Sequence, residues 1–191
     1  MRVALLLLLV SVILVLVPDR ARAFELEGYA GFYRYDGSLA EEFEADNSPI
    51  FGLRFGSGAR QILSGETTIA YGPADDIRIL LLMGNFLINI PVDPVIPYVT
   101  IGTGTTIYLP KDVENATGLI LDSTTNFTLN YGGGFRYFVS PLLALRFDIR
   151  DYVTFDLDFD VAEADPDNPI NAVSVGTIHN TEIAGGLSLV F

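Results

Sequence analysis

Apolar and polar residues alternate with a period of two along most of the chain after residue 23. Such alternation predicts β-strands, and clusters of Gly, Pro, Asp and Asn interrupt it. Most of the resulting runs are longer than a typical strand of a soluble protein, which has about five or six residues. They are long enough to cross a bilayer at a tilt. The eight runs are 24–35, 48–56, 60–71, 76–90, 97–109, 124–138, 141–161 and 172–191.

The connections between the predicted strands differ in character at the two ends. Long acidic segments follow the first, fifth and seventh strands, and short turns follow the second, fourth and sixth. The connection after the third strand, 72–75, is also short. Long loops on one rim and tight turns on the other are typical of outer-membrane β-barrels. The long segments are 36–47, 110–123 and 162–171, and the short turns are 57–59, 91–96 and 139–140.

The composition of the two strand faces distinguishes a membrane barrel from a soluble one. In the sixth predicted strand, bulky residues such as Phe127 and Tyr131 share one face, while Asn130 and Gly132 lie on the other. A soluble exterior would carry Lys and Glu along its length, whereas this polar face has small residues that fit the narrow interior of an eight-stranded barrel. The bulky face predicts lipid contact. We therefore predict an all-β fold, an eight-stranded antiparallel up-and-down transmembrane β-barrel in the bacterial outer membrane.

The amino-terminal segment predicts a cleaved signal peptide. A positive start precedes the apolar run 3–17, and Ala21-Arg22-Ala23 is an A-x-A cleavage site. A transmembrane helix is the alternative, but it needs about 18 or more apolar residues, and Pro18-Asp19-Arg20 ends the run. The predicted organisation is a signal peptide at 1–23, which directs export to the periplasm, and one barrel domain at 24–191.

Composition excludes several classes of protein. The formal net charge of the 191-residue chain is −13, and removing residues 1–23 takes away three arginines and one aspartate, which gives −13 − 3 + 1 = −15. Phosphate contacts need clustered Lys and Arg, so nucleic acid is not expected as a partner. Because the chain has no cysteine, disulfide scaffolds and thiolate metal sites are excluded.

In a strand, every second residue points to the same face, and we call the positions that alternate with the lipid-facing ones lumen-facing in parity. Four arginines and five acidic residues occupy such positions. They could form an ion-selective constriction or a salt-bridge network that fills the barrel. Buried charges are tolerated when they are paired, so the near balance favours the network. The strand register set by the tip at 162–171 places Arg150 opposite Glu182 and predicts an ion pair there. The nine residues are Glu25, Glu27, Arg54, Glu66, Arg136, Arg146, Asp148, Arg150 and Glu182.

Metal-binding and catalytic candidates are few. Asp156, Asp158 and Asp160 offer the oxygen ligands that Ca²⁺ and Mg²⁺ prefer, but their spacing is not that of an EF-hand, and a solvated acidic tip is the favoured interpretation. The single histidine, His179, is predicted to face outward, away from Glu182. A nucleophile–histidine–acid arrangement is therefore not expected, and we predict neither enzymatic activity nor a cofactor.

Two segments carry a family resemblance. The sequence NYGGGFRYF at 130–138, followed by LALRFDIRD at 143–151, resembles bacterial outer-membrane β-barrel proteins of the OmpA-like transmembrane type. The last residues, 179–191, end on the aromatic Phe191 and resemble the assembly signal of that family. The resemblance implies an eight-stranded barrel that the outer-membrane assembly machinery inserts. We expect this barrel to be a monomer, with outer-membrane lipid and lipopolysaccharide as its surroundings. It implies no single activity, because relatives serve as anchors, adhesins or small pores.

Two classes of function therefore remain open. The first is a structural or surface-interaction protein, with a lumen plugged by salt bridges and acidic loops outside. The alternative is a narrow pore or a transporter for small solutes or hydrophobic molecules. The balance of lumen charges favours the first class.

Overall fold

The computed structural model of the chain describes residues 24–35, 47–73, 77–110, 124–158 and 174–191. Within these ranges the chain forms eight strands. No helix among these residues has the length and apolar character needed to span a membrane. The strands are β1 (Phe24–Arg34), β2 (Asn47–Ser57), β3 (Leu63–Pro73), β4 (Ile77–Asn89), β5 (Val95–Pro110), β6 (Thr124–Ser140), β7 (Leu143–Asp158) and β8 (Ser174–Val190).

The strands form one closed antiparallel barrel in sequence order. The seam between β1 and β8 has ten residue pairs, from Glu25–Val190 to Arg34–Thr181. At the end of this seam the Phe24 amide donates to the Phe191 carbonyl (3.1 Å), and the Phe191 amide donates to the Phe24 carbonyl (2.9 Å). Closure leaves no strand edge unpaired. Both termini of the barrel lie on the rim with the short turns, which we call the short-turn rim; the opposite one is the loop rim.

The predicted strand boundaries agree with the structure to within three residues wherever the structure describes them. The largest shift is at β3, which begins at Leu63 rather than at residue 60. Gly58 has a φ of 82°, a conformation that favours glycine, and the Gln61 amide donates to the Gly58 carbonyl (2.8 Å). Residues 58–62 are therefore a turn that delays the strand. The pairing of β7 with β8 has the predicted register, with Arg150 opposite Glu182.

Side-chain burial alternates along each strand, as lipid contact outside and packing inside require. In β6, Leu129 and Tyr131 are exposed while Thr128, Asn130 and Arg136 are buried. Large apolar side chains cover the outer surface all round the barrel. The interior is consequently built from the residues that alternate with these outward-facing ones along each strand.

Two apolar layers lie inside the barrel, one toward each rim. The layer toward the loop rim, here the upper layer, joins tyrosines to aliphatic residues. The layer toward the short-turn rim, here the lower layer, is smaller. The upper layer consists of Tyr29, Tyr33, Tyr35, Ile50, Ala70, Ile79, Leu81, Met83, Tyr108, Tyr152 and Ala184. The lower layer consists of Ala59, Ile96, Phe138, Ala144 and Val190.

Candidate functional site

Between the two apolar layers lie the nine charged residues that share lumen-facing parity. Each of them is at most 3% exposed. Seven are joined by ion pairs into one cluster, which we call the central network, while Glu25 and Arg136 form a separate pair. The central network consists of Glu27, Arg54, Glu66, Arg146, Asp148, Arg150 and Glu182.

Arg54 of β2 is the hub of the central network. Its Nη1 donates to Glu27 Oε1 (3.0 Å) and to Asp148 Oδ2 (2.8 Å). Its Nη2 donates to Glu182 Oε1 (2.8 Å) and to Asp148 Oδ1 (3.2 Å). The guanidinium also lies 3.7 Å from the centre of the Tyr29 ring. One arginine thus joins carboxylates from three other strands, β1, β7 and β8.

Arg146 and Arg150 of β7 complete the central network on its other side. Arg146 Nη1 donates to Glu27 Oε2 (2.8 Å) and to Glu66 Oε2, and its Nε donates to the Tyr98 hydroxyl (2.7 Å). Arg150 Nη2 donates to Glu66 Oε1 (2.8 Å). Glu66 of β3 therefore links both arginines across the lumen.

The predicted ion pair between Arg150 and Glu182 is wrong, although the strand register is right. Glu182 pairs with Arg54 and accepts hydrogen bonds from the hydroxyls of Tyr152 (3.2 Å) and Tyr29 (3.4 Å). Arg150 turns instead toward Glu66 and toward Asp148 on its own strand. The lumen is narrow enough for an arginine side chain to reach a strand that is not adjacent to its own. The residue opposite it in the strand ladder is therefore not necessarily its ion-pair partner.

The second ion pair lies nearer the short-turn rim. Arg136 Nε donates to Glu25 Oε1 (2.9 Å), and its Nη1 donates to Asn89 Oδ1 (2.9 Å). The guanidinium also lies 4.8 Å from the centre of the Tyr98 ring. Arg136 and Glu25 therefore compensate each other's charge and need no partner from the central network.

Glycines provide the space that these long side chains occupy. A Cβ atom added at Gly134 would collide with the Phe147 carbonyl oxygen, the Asp148 side chain and the Tyr98 hydroxyl. One added at Gly132 would collide with the backbone of residues 149 and 150. Both glycines point inward on β6, beside the arginines of β7. The small residues of β6 therefore make room for the charged residues of the next strand.

The turn between β2 and β3 closes the short-turn rim. Ala59 is fully buried in the lower layer. Next to it, Arg60 lies 3.8 Å from the centre of the Phe138 ring and pairs with Asp93 of the β4–β5 turn (2.8 Å). Sequence reasoning placed Ala59 and Asp93 in turns and Arg60 at the start of the third strand, and it missed this closure.

The comparisons with known proteins agree with this architecture. Residues 3–191 match the family model described as outer membrane protein beta-barrel domain. The chain belongs to this family. It is therefore an integral outer-membrane protein, and the short-turn rim of the barrel faces the periplasm.

Solved structures of outer-membrane barrels share its fold. Neisserial surface protein A aligns with a TM-score of 0.60 and 15% identity, over 88% of this chain and 97% of that one. The amino-terminal β-barrel domain of OprF from Pseudomonas aeruginosa aligns with a TM-score of 0.54 and 12% identity, over 87% and 97% respectively. A comparison with curated protein sequences found no match. At these identities the likeness concerns the fold alone.

Tyrosine hydroxyls are the part of the outer-membrane barrel's network that sequence reasoning missed. Tyr98 donates to Asp148 Oδ2 (3.0 Å), and Tyr29 and Tyr152 donate to Glu182. A signal was available, because Tyr29 follows Glu27, and Tyr152 follows Arg150, by two positions on the same strand face. A tyrosine that faces the lumen two positions from a charged residue is thus a candidate hydrogen-bond partner for the lumen charges.

The remaining candidates are the histidine and the three aspartates. His179 faces outward, away from Glu182, and its Nδ1 lies 3.1 Å from Asp151 Oδ2. Asp156 and Asp158 belong to β7, but their side chains, like the whole of Asp160, lie outside the described part of the chain. The described residues contain no group of three or more His, Cys, Asp or Glu that could hold a metal ion.

Proposed function

We propose that this outer-membrane barrel is a structural and surface-interaction protein whose lumen is closed to solutes. The observation that supports this proposal is the position of the central network between two apolar layers. A conducting lumen needs an open path, and buried apolar side chains fill part of that path on both sides of the network. The role of the nine charged residues is then to fill and stiffen the barrel.

The upper layer obstructs the lumen toward the loop rim. Tyr33 and Tyr152 are fully buried, with ring centres 5.7 Å apart, and the Tyr33 and Tyr35 rings meet edge to face at 5.2 Å. Aromatic contacts of this kind add to the free energy that area burial supplies. Ile79 and Met83 are fully buried in the same layer. Tyr33, Tyr152, Ile79 and Met83 have no exposed surface, so their packing narrows the path that a hydrated solute would need.

Paired charges suit the filling role because breaking them is costly. Removing one partner of a buried pair leaves an uncompensated charge in a medium of low dielectric. In the central network every arginine contacts at least two carboxylates. Movement of any one arginine out of the network would therefore take an ion-pair partner from at least two carboxylates.

Conductance tests the closed lumen directly. Wild-type protein added to planar lipid bilayers should produce no discrete current steps, whereas a porin added to the same bilayers should produce them. Current steps from the wild-type protein would contradict the proposal. They would favour the alternative, a narrow pore or transporter for small solutes.

Surface interaction would fall to the acidic connections, which lie outside the described residues. We also infer that the barrel is a monomer among lipid and lipopolysaccharide, that it needs no cofactor, and that it is not an enzyme. Residues 1–23 serve as the export signal, so Phe24 begins the mature chain. Native mass spectrometry of protein extracted from the outer membrane should give one chain of residues 24–191. A mass that includes residues 1–23, or a multiple of the chain, would contradict this.

The terminal Phe191 is proposed as part of the signal that the outer-membrane assembly machinery recognises. Its side chain is 67% exposed and packs against Phe24, with ring centres 6.4 Å apart. Deleting Phe191 should sharply reduce the folded protein in the outer membrane, measured by immunoblotting of membrane fractions. Phe24→Ala is the matched control, because it removes the same ring contact and keeps the terminal aromatic residue. Equal losses from the two changes would assign the effect to packing rather than recognition.

A further inference from the structure

The central network is not electrically balanced. It contains three arginines and four carboxyl groups, whereas Arg136 and Glu25 balance each other. With every group ionised, the sealed lumen would hold one uncompensated negative charge. Such a charge is costly away from water. The inference that follows rests on the proposed closed lumen, because water inside the barrel would screen the excess charge.

The four carboxyl groups differ in the number of arginines that they contact. Asp148 lies within 4.0 Å of all three arginines of the network. Glu66 contacts two closely and a third at 3.9 Å, and Glu27 contacts two. Glu182 contacts only Arg54, which it shares with Glu27 and Asp148. It is therefore the least compensated carboxyl group of the network.

Tyrosines surround the other side of Glu182. Its Oε2 faces the hydroxyls of Tyr29 and Tyr152. Tyr33 lies opposite Glu182 in the β1–β8 ladder, and its buried hydroxyl has no hydrogen-bond partner among the described residues. A phenolic hydroxyl can accept a hydrogen bond as well as donate one. If Glu182 is a neutral carboxylic acid, it has one hydrogen bond to donate, and the surrounding tyrosine hydroxyls can accept it. The ionisable groups around Glu182 are Tyr29 and Tyr33 of β1, Arg54 of β2, and Asp148, Arg150 and Tyr152 of β7.

We propose that Glu182 is a proton-binding site, held as a neutral carboxylic acid inside the barrel at neutral pH. The central network then has three positive and three negative charges. In the unfolded chain Glu182 is exposed to water and ionised at this pH. Unfolding at neutral pH therefore releases this proton.

Glu182→Gln tests this site because glutamine imitates the neutral acid. The variant should unfold at the same urea concentration as the wild type at neutral pH, or at a higher one. Glu66→Gln is the matched control: it makes the same chemical change at an equally buried position, but removes a partner of Arg146 and Arg150. Its unfolding midpoint should fall clearly. Equal losses in the two variants would overturn the proposal.

Infrared spectroscopy gives a readout that stability alone does not. The wild-type protein in lipid at neutral pH should show the carbonyl stretch of one protonated carboxyl group. This band should disappear in Glu182→Gln and persist in Asp151→Asn, which changes an outward-facing carboxylate. A wild-type spectrum without the band, or a band that survives Glu182→Gln, would overturn the proposal.

Conductance separates the failure of this inference from failure of the closed lumen. A non-conducting protein that lacks the infrared band would overturn the proton site alone. A conducting protein would overturn the closed lumen, and the proton site with it.

Discussion

Replacing Arg54 by methionine should lower the free energy of unfolding by roughly 3–5 kcal/mol, the loss expected when one partner of a buried ion pair is removed. Methionine is flexible and close to arginine in volume, so most of the loss would come from charge rather than from a cavity. Three carboxyl groups, on Glu27, Asp148 and Glu182, lose a close partner at once. Urea titration of the protein in lipid vesicles, followed by tyrosine fluorescence, measures the change.

Arg60→Met is the matched control for this substitution. Arg60 also pairs with one carboxylate and stacks on an aromatic ring, but the side chains of Arg60 and its partner Asp93 are 38% and 63% exposed. An ion pair between exposed side chains contributes about 0–1 kcal/mol. The control should therefore lose far less stability than Arg54→Met. Similar losses in both variants would show that water reaches the central network.

Leucine in place of Gly134 should prevent the barrel from closing, or should reduce the folded fraction severely. Overpacking a filled interior typically costs about 1–3 kcal/mol even where side chains can rearrange. At Gly134 the obstacle includes the backbone carbonyl of Phe147, which cannot move without separating β6 from β7. The folded fraction can be measured by the difference in gel migration between unheated and boiled samples.

Gly28→Leu is the corresponding control on the outer surface. Gly28 belongs to β1, and no atom lies within 4 Å of the position that its Cβ would occupy. The same leucine should face lipid there and leave the folded fraction unchanged. If Gly134→Leu folded as well as this control, the lumen would be roomier than a packed interior allows.

The fold could be predicted from the sequence because each strand has one face for lipid and one for the lumen. In β6 the alternation of Leu129 and Tyr131 with Asn130 and Gly132 decides which way each side chain points. The delayed start of β3 could not be predicted this way, because the positive φ of Gly58 is a property of one turn.

The site could be predicted only in part, for a reason of geometry. Parity indicates that a residue points inward, but it does not specify how far its side chain reaches. Arg150 lies opposite Glu182 and yet pairs with Glu66 of β3, which is remote in sequence. The upper layer was missed as well, because Tyr33 and Ile79 occupy inward positions where a polar interior was expected.

The seam between β1 and β8 has a consequence for the order of events in biogenesis. Its ten residue pairs join the strand of the barrel that the ribosome makes first to the strand of the barrel that it makes last. A chain that lacks β8 would leave the backbone N–H and C=O groups of two edges without partners, and each such group costs several kcal/mol in hydrocarbon. The bilayer therefore cannot receive the strands one at a time as translation proceeds. All eight strands must therefore be present before the barrel can close in the bilayer, and the two strands that are farthest apart in time of synthesis are the ones that close it.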